Sequence, residues 1–215
     1  MTTSRPGGSG GPDAVAPVVA TPSTWNVANA LTGLRVVLVP VFAALLLHED
    51  GRSTGWRVAA FVAFAVASLT DRFDGELARR HGLVTDVGKI ADPIADKALT
   101  GTALIGLSLL GELPWWVTVV VLVREFGVTA LRFAVIRHGV LPASRGGKVK
   151  TSLQVLAIGL YVLPLYGAPH EFAEAVMAAA VVVTVVTGVD YCLRAARLRR
   201  DSPRTLARRR GTGRG

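Results

Sequence analysis

Four aspartates and two glycines occur at helical intervals in the segment DRFDGELARRHGLVTDVGKIADPIAD, residues 71–96. At about 100° per residue, one arc of a helix would carry Asp71, Asp74, Gly75, Ala78 and Arg79. A second face, if its segment is helical, would carry Gly88, Asp92 and Asp96. Two acidic faces that converge in this way would repel each other unless they share a cation.

Carboxylate oxygens are ligands that suit hard divalent cations such as Mg²⁺ and Mn²⁺, which bridge phosphate oxygens and neutralise charge that develops at phosphorus. Individual acids also have structural interpretations, since Asp92 precedes Pro93 as a helix N-cap would and Asp71 can be a helix-end acid. The complete set, with glycines and an arginine between its members, indicates a metal site for phosphate chemistry.

The composition indicates a membrane protein, because 51% of the 215 residues are hydrophobic and only 18% are charged. Six apolar stretches are long enough to span a bilayer, at about residues 30–48, 54–71, 94–111, 114–136, 151–168 and 172–193. We therefore predict an all-α integral membrane bundle of six transmembrane helices with a cytosol-facing polar active site. Pro40 and Pro164 are expected inside spans, where they would kink the helices.

The two ends of the chain differ from the apolar region in composition. Residues 1–24 are rich in Gly, Pro, Ser and Thr, which predicts a disordered tail. We assign residues 25–197 to the membrane domain and residues 198–215 to a basic disordered tail. Residues 194–215 hold nine arginines and one acid, which is +8 of the formal net charge of +9. Such a polybasic end favours the cytoplasmic side of a membrane and anionic headgroups over nucleic acid.

Positive residues between the second and third spans, and between the fourth and fifth, predict that these connections are cytoplasmic. They are Arg79, Arg80, Lys89, Arg137, Arg145, Lys148 and Lys150. Both termini and the aspartates would then face the cytoplasm, in a multi-pass protein of the cell (plasma) membrane. The single cysteine, Cys192, rules out an internal disulfide and a cysteine-based metal site.

The pattern DxxDGxxAR, eight residues, then GxxxDxxxD resembles the signature of the CDP-alcohol phosphatidyltransferases. The resemblance implies displacement of CMP from a CDP-linked lipid by an alcohol hydroxyl, in a homodimeric enzyme with two divalent ions, Mg²⁺ or Mn²⁺. Its implied metal ligands are Asp71, Asp74, Asp92 and Asp96. Asp96 occupies the position of the base that takes the proton of the acceptor hydroxyl.

Several residues are candidates for binding the donor, CDP-diacylglycerol. Gly75 and Ala78 would let the nucleotide approach the helix backbone, while Arg79 could bind phosphate or serve only as a positive-inside residue. By the same resemblance, Thr85 and Gly88 would lie at the nucleotide, while the alternative for Thr85 is a solvated loop residue. The first span adds Asn29, Thr32 and Arg35 at three-residue steps. Arg35 lies in an apolar run and needs a carboxylate, a phosphate or a snorkelling route to the surface.

Basic residues of the fourth and fifth spans form a second candidate site, Arg124, Arg132, Lys148 and Lys150. An internal salt bridge with Glu125 is the structural alternative for the two arginines, and a positive-inside cluster is the alternative for the two lysines. The stretches VREFGVTALR and GGKVKTSLQ are similar to those of family members that use glycerol 3-phosphate, which implies that this pocket binds the acceptor's phosphate.

The resulting hypothesis is transfer of a phosphatidyl group from CDP-diacylglycerol to sn-glycerol 3-phosphate, giving phosphatidylglycerol phosphate and CMP. Inositol phosphate and phosphatidylglycerol are alternative acceptors, although a basic pocket argues against phosphatidylglycerol. A divalent-cation transporter would also contain membrane aspartates, but its sites should lie near mid-bilayer rather than at span ends.

Overall fold

The computed structural model describes residues 27–81, 86–135 and 145–201. Within these ranges, it describes side chains except at residues 27–30, 71–81, 86–93, 96, 145, 148 and 199–201. The predicted N-terminal tail and all but the first four residues of the predicted C-terminal tail lie outside the described residues, so the domain boundaries stay predictions.

The described chain consists of six α-helices and a short 3₁₀ turn, His48–Gly51, that follows the first helix. The helices are α1 (Val27–Leu47), α2 (Thr54–His81), α3 (Asp86–Leu109), α4 (Trp115–Val135), α5 (Arg145–Val162) and α6 (Ala168–Asp201). One helix forms from each of the six apolar stretches, and no strand occurs in the described ranges. The all-α prediction is therefore confirmed.

The two prolines expected inside helices have different positions. Pro40 lies within α1, as predicted. The prediction for Pro164 was wrong, because α5 ends at Val162 and Pro164 follows it in the connection to α6. Proline disfavours helical backbone at the residue before it, so the helix stops before the proline rather than bending around it.

α1 packs against both α2 and α3, and α6 packs against both α4 and α5. The core contains the fully buried side chains Phe42, Leu46, Leu104 and Ile158. A Cβ at Gly106 of α3 would lie only 2.8 Å from Cδ2 of Leu46. The absence of a side chain at this glycine thus permits the close approach of α3 to α1.

Two described segments are long and apolar enough to cross a membrane by length and composition, Leu31–Gly51 and Ala168–Leu198. Shorter apolar segments occur in three other helices, at Thr54–Thr70, Lys97–Leu109 and Val149–Val162. Large apolar side chains are also exposed along the bundle, among them Val62, Phe126, Phe133 and Val182. These features are typical of a helical membrane protein.

The side chain of Arg57 on α2 joins the end of α5 to the connections that follow α1 and α3. Its side chain is 3% exposed and donates to the carbonyl oxygens of Val162 at 2.8 Å and Tyr161 at 2.6 Å, where α5 ends. It also donates to the carboxylate of Glu112 at 2.9 Å, in the connection between α3 and α4. A weaker contact of 3.4 Å reaches the carbonyl of Gly51. One guanidinium therefore satisfies carbonyls at a helix end and compensates its own buried charge.

We predict that Arg57→Met destabilises the protein by about 3 kcal/mol, because the α5 carbonyls and Glu112 lose their donor. Thermal unfolding of the purified protein in detergent measures the effect. Arg52→Met is the matched control, since Arg52 pairs with Asp50 where both side chains are about 80% exposed. Equal unfolding temperatures for the two variants would contradict the assignment of Arg57 as a structural connection.

Candidate active site

The aspartate motif spans the end of α2 and the first half of α3. Asp71 and Asp74 lie in the last three turns of α2, and Asp92 and Asp96 lie one turn apart in α3. Gly75, Ala78 and Arg79 follow on α2, and Gly88 precedes on α3. The condition that both segments are helical is thus met, so each set of acids shares one helix face. The side chains of these residues lie outside the described part, as does Thr85 altogether.

The four aspartates are the candidate donor set for a divalent ion. Among the described side chains, no group of three His, Cys, Asp or Glu residues could hold a metal. The oxygens of the motif carboxylates suit Mg²⁺ or Mn²⁺. Both helices also contact each other and α1, which keeps the two helices that carry the acids together. The residues therefore fit a divalent metal site by their chemistry and helical register.

α1 contributes two buried polar side chains near the start of the bundle. Thr32 is 6% exposed and Arg35 is 1% exposed. Because a snorkelling side chain keeps its charged end at the surface, burial of Arg35 argues against that alternative. Asn29 lies in the first turn of α1, and its side chain is outside the description.

Glu125 lies at the centre of the basic cluster. Its Oε1 accepts a hydrogen bond from Nη1 of Arg124 at 3.2 Å and a second one from Nζ of Lys150. The side chains are 16% exposed for Glu125, 12% for Arg124 and 4% for Lys150. The structure therefore contains the predicted salt bridge, in which one carboxylate is shared by Arg124 and Lys150.

α6 contacts the face of α4 that carries Arg124 and Arg132 through two hydrogen bonds. Nη2 of Arg124 donates to Oγ1 of Thr187 at 3.0 Å, and Nη2 of Arg132 donates to the hydroxyl of Tyr191 at 2.9 Å. The guanidinium of Arg132 also lies 5.0 Å from the centre of the Tyr191 ring. Residue numbers increase together in these pairs, which indicates that α4 and α6 run in parallel.

The structure brings together two of the four predicted acceptor residues, Arg124 and Lys150. Arg132 lies eight residues further along α4, about 12 Å along the helix axis, and is held against Tyr191. Lys148 lies in the first turn of α5, and its side chain is outside the description. Arg124 and Lys150 therefore form the centre of the candidate phosphate site.

A small cleft connects α3 with this cluster. It is lined by Lys97, Thr100, Leu122, Glu125 and Phe126. Lys97 directly follows Asp96 in the chain and Thr100 lies one turn further, while Glu125 belongs to the basic cluster. The helix that carries the predicted base therefore passes beside the Arg124–Glu125–Lys150 cluster.

Sequence reasoning missed Lys97, Thr187 and Tyr191 as neighbours of the site. A weak signal was present for the last two, because they are polar residues four apart in α6, a spacing that puts both on one face. For Lys97 only its position next to Asp96 pointed to the site.

Comparison with known proteins gives consistent matches. The sequence model of the CDP-alcohol phosphatidyltransferase family matches residues 25–186. A protein of Mycobacterium tuberculosis named probable phosphatidylglycerophosphate synthase is 60% identical over 172 residues, covering 80% of this chain and 82% of the relative. The CDP-diacylglycerol--glycerol-3-phosphate 3-phosphatidyltransferase of Bacillus subtilis is 36% identical over 180 residues, covering 78% and 93%.

A third relative has a different name. The cardiolipin synthase (CMP-forming) of Streptomyces coelicolor is 32% identical over 150 residues and covers 67% of this chain and 68% of its own length. The family match extends over α1 to α5, the helices that carry the aspartates and the basic cluster, and into α6. From its motif, its helices and these matches, the chain belongs to the CDP-alcohol phosphatidyltransferase family.

Proposed function

We propose that this enzyme transfers a phosphatidyl group from CDP-diacylglycerol to sn-glycerol 3-phosphate, releasing CMP and forming phosphatidylglycerol phosphate. The observation that carries the proposal is the buried Arg124–Glu125–Lys150 cluster, which lies beside the aspartate helix α3. One side of that arrangement suits a pyrophosphate donor and the other a phosphorylated acceptor. The names of the relatives from M. tuberculosis and B. subtilis support the same reaction.

The acids of the motif, Asp71, Asp74, Asp92 and Asp96, would hold the divalent ions, Mg²⁺ or Mn²⁺, with two ions per site. When bound, such ions neutralise charge on the pyrophosphate and on the leaving CMP. Gly75, Ala78 and Gly88 leave room for the nucleotide against the helix backbones, and Arg79 provides donors for a phosphate. Asn29, Thr32 and Thr85 complete the proposed donor site.

The reaction is a displacement at the phosphorus that bears diacylglycerol. Asp96 accepts the proton of the acceptor's primary hydroxyl, and the oxygen forms a new bond to that phosphorus. The bond from this phosphorus to the oxygen bridging it to CMP breaks, and CMP leaves with the electron pair. The proton then passes from Asp96 to solvent. The basic cluster acts by holding the acceptor's phosphate so that its hydroxyl lies at Asp96.

Charge favours a phosphate monoester as the acceptor. Arg124 and Lys150 place two cations at the candidate acceptor site, where both contact Glu125. Glycerol 3-phosphate carries close to two negative charges at neutral pH, whereas the phosphodiester of phosphatidylglycerol carries one. A dianion therefore complements this cluster better. Inositol phosphate has the same charge and stays as an alternative acceptor.

We also propose that the protein is a multi-pass protein of the plasma membrane, which it spans with all six helices. Its active site and both termini would then face the cytoplasm. The basic connections and the basic C-terminal segment support this orientation. The homodimer implied by the family resemblance belongs to the same proposal. Family membership argues against the divalent-cation transporter.

Asp96→Asn should lower kcat by at least about 10²-fold, because an amide cannot take the proton of the acceptor hydroxyl. CMP release from CDP-diacylglycerol in the presence of glycerol 3-phosphate measures the loss. The control, Asp190→Asn, removes a carboxylate that pairs with Arg194 on α6 and should retain turnover. Retained turnover in Asp96→Asn would remove this residue from the role of base.

Arg124→Lys should raise KM for glycerol 3-phosphate about tenfold while KM for CDP-diacylglycerol stays unchanged. Lysine keeps the charge but cannot reach Glu125 and Thr187 together in the fork geometry of a guanidinium. Initial rates over a range of each substrate separate the two constants. Arg194→Lys, at an exposed pair with Asp190, is the control. An unchanged acceptor KM would exclude Arg124 from the acceptor site.

Product analysis tests the reaction itself. Mass spectrometry after incubation with CDP-diacylglycerol, a divalent ion and one acceptor at a time should detect phosphatidylglycerol phosphate with glycerol 3-phosphate. Parallel incubations contain inositol phosphate or phosphatidylglycerol. Product from either of these alone would keep the reaction class and change the acceptor. Ion flux into vesicles without CMP release would instead support a transporter.

A further inference from the structure

Thr187 of α6 makes an unusual pair of hydrogen bonds inside the bundle. The residue is 9% exposed, and its single hydroxyl proton is directed to the carbonyl of Val183 at 2.7 Å, with the carbonyl of Thr184 at 3.1 Å. Because that proton is used within α6, the hydroxyl oxygen can only accept from Arg124, whose Nη2 lies 3.0 Å away. The backbone of α6 thus fixes the direction from which the hydroxyl oxygen of Thr187 accepts the hydrogen bond of Arg124.

Gly188 gives Arg124 the space that this contact requires. A Cβ at Gly188 would lie 3.1 Å from Cγ of Arg124 and 3.9 Å from its Nε. The stem of the arginine therefore lies directly against the backbone of α6. A side chain at position 188 would push the stem away from Thr187.

Arg124 is consequently held on two sides. Glu125 binds Nη1 at 3.2 Å, and Thr187 binds Nη2 at 3.0 Å. These partners differ in charge, since Glu125 is a carboxylate, which also binds Lys150, whereas Thr187 is a neutral hydroxyl. Contact with a neutral hydroxyl fixes the guanidinium without reducing its attraction for an anion.

We propose that Thr187 and Gly188 are positioning residues that set Arg124 for the phosphate of the acceptor. This inference rests on the proposed function, because it assigns Arg124 to acceptor binding. α6 thereby contributes to acceptor affinity without contacting the acceptor through either residue. The steric contact at Gly188 and the hydroxyl at Thr187 act on the same side chain.

The first test compares three substitutions on α6. Thr187→Val removes the hydroxyl at nearly constant shape and should raise KM for glycerol 3-phosphate about tenfold, with kcat and the donor KM unchanged. Thr187→Ser retains the hydroxyl and should restore an acceptor KM close to the original. The control is Thr184→Val, because the Thr184 hydroxyl is fully buried and has no hydrogen-bond partner among the described residues. It should leave the acceptor KM unchanged.

The second test is a double-mutant cycle with Arg124→Lys. If Thr187 acts through Arg124, Thr187→Val should add less than about twofold to the acceptor KM of the Arg124→Lys enzyme. Gly188→Ala should raise the acceptor KM of the original enzyme and have a similarly small effect in the Arg124→Lys background.

The outcomes separate this inference from the proposed function. Turnover of glycerol 3-phosphate by the original enzyme with equal acceptor KM for Thr187→Val and Thr184→Val would overturn the positioning role alone. The positioning role would also be overturned if the effects of Thr187→Val and Arg124→Lys on the acceptor KM multiplied fully in the cycle. The same holds if Thr187→Ser raised the acceptor KM as much as Thr187→Val. Absence of turnover with glycerol 3-phosphate in the original enzyme would overturn both proposals.

Discussion

A buried cation needs a partner, and this requirement organises the polar interior of the bundle. Arg57 meets it with the Glu112 carboxylate and three carbonyl oxygens, so its charge is compensated and it connects helix ends. The pair Arg124 and Lys150 meets it differently, since both side chains use the single carboxylate of Glu125. The first arrangement stabilises the fold, whereas the second gathers two cations around one carboxylate, where we propose that an anionic substrate binds.

These two polar networks differ in what surrounds them. Arg57 contacts the C-terminal end of α5 and the connections that follow α1 and α3. The Glu125 cluster lies beside the first half of α3, where the aspartate motif continues from the end of α2. One network therefore fixes the connections between helices, while the other lies beside the reactive residues. A substitution in the first is expected to act on stability and one in the second on substrate use.

Most of the helical architecture could be predicted from the sequence, because runs of apolar residues are a local property of the chain. The spacing of Asp71, Asp74 and Ala78 also predicted a helix there, which the structure shows as the last part of α2. The end of α5 was misplaced because Leu163 to Tyr166 continue the apolar run although proline stops the helix.

Tertiary partners were harder to predict than helices. Sequence reasoning recognised that Arg124 needs an anion and named Glu125, its neighbour in the chain, but not Thr187, which is 63 residues away. Arg57 was missed for the same reason, since three of its four acceptors are backbone carbonyls that carry no residue-specific signal. The roles of the four motif aspartates rest on their spacing and on the family to which the chain belongs.

The sharing of Glu125 between α4 and α5 has a consequence for how the protein enters a membrane. α4 carries Arg124, Glu125 and Arg132 and is not among the described segments that are apolar enough to cross a bilayer by themselves. Its polar groups find partners on α5 and α6, through Lys150, Thr187 and Tyr191. Lipid offers no substitute for these partners. We therefore expect α4 to leave the insertion machinery together with α5 and α6, as a preassembled group of three helices.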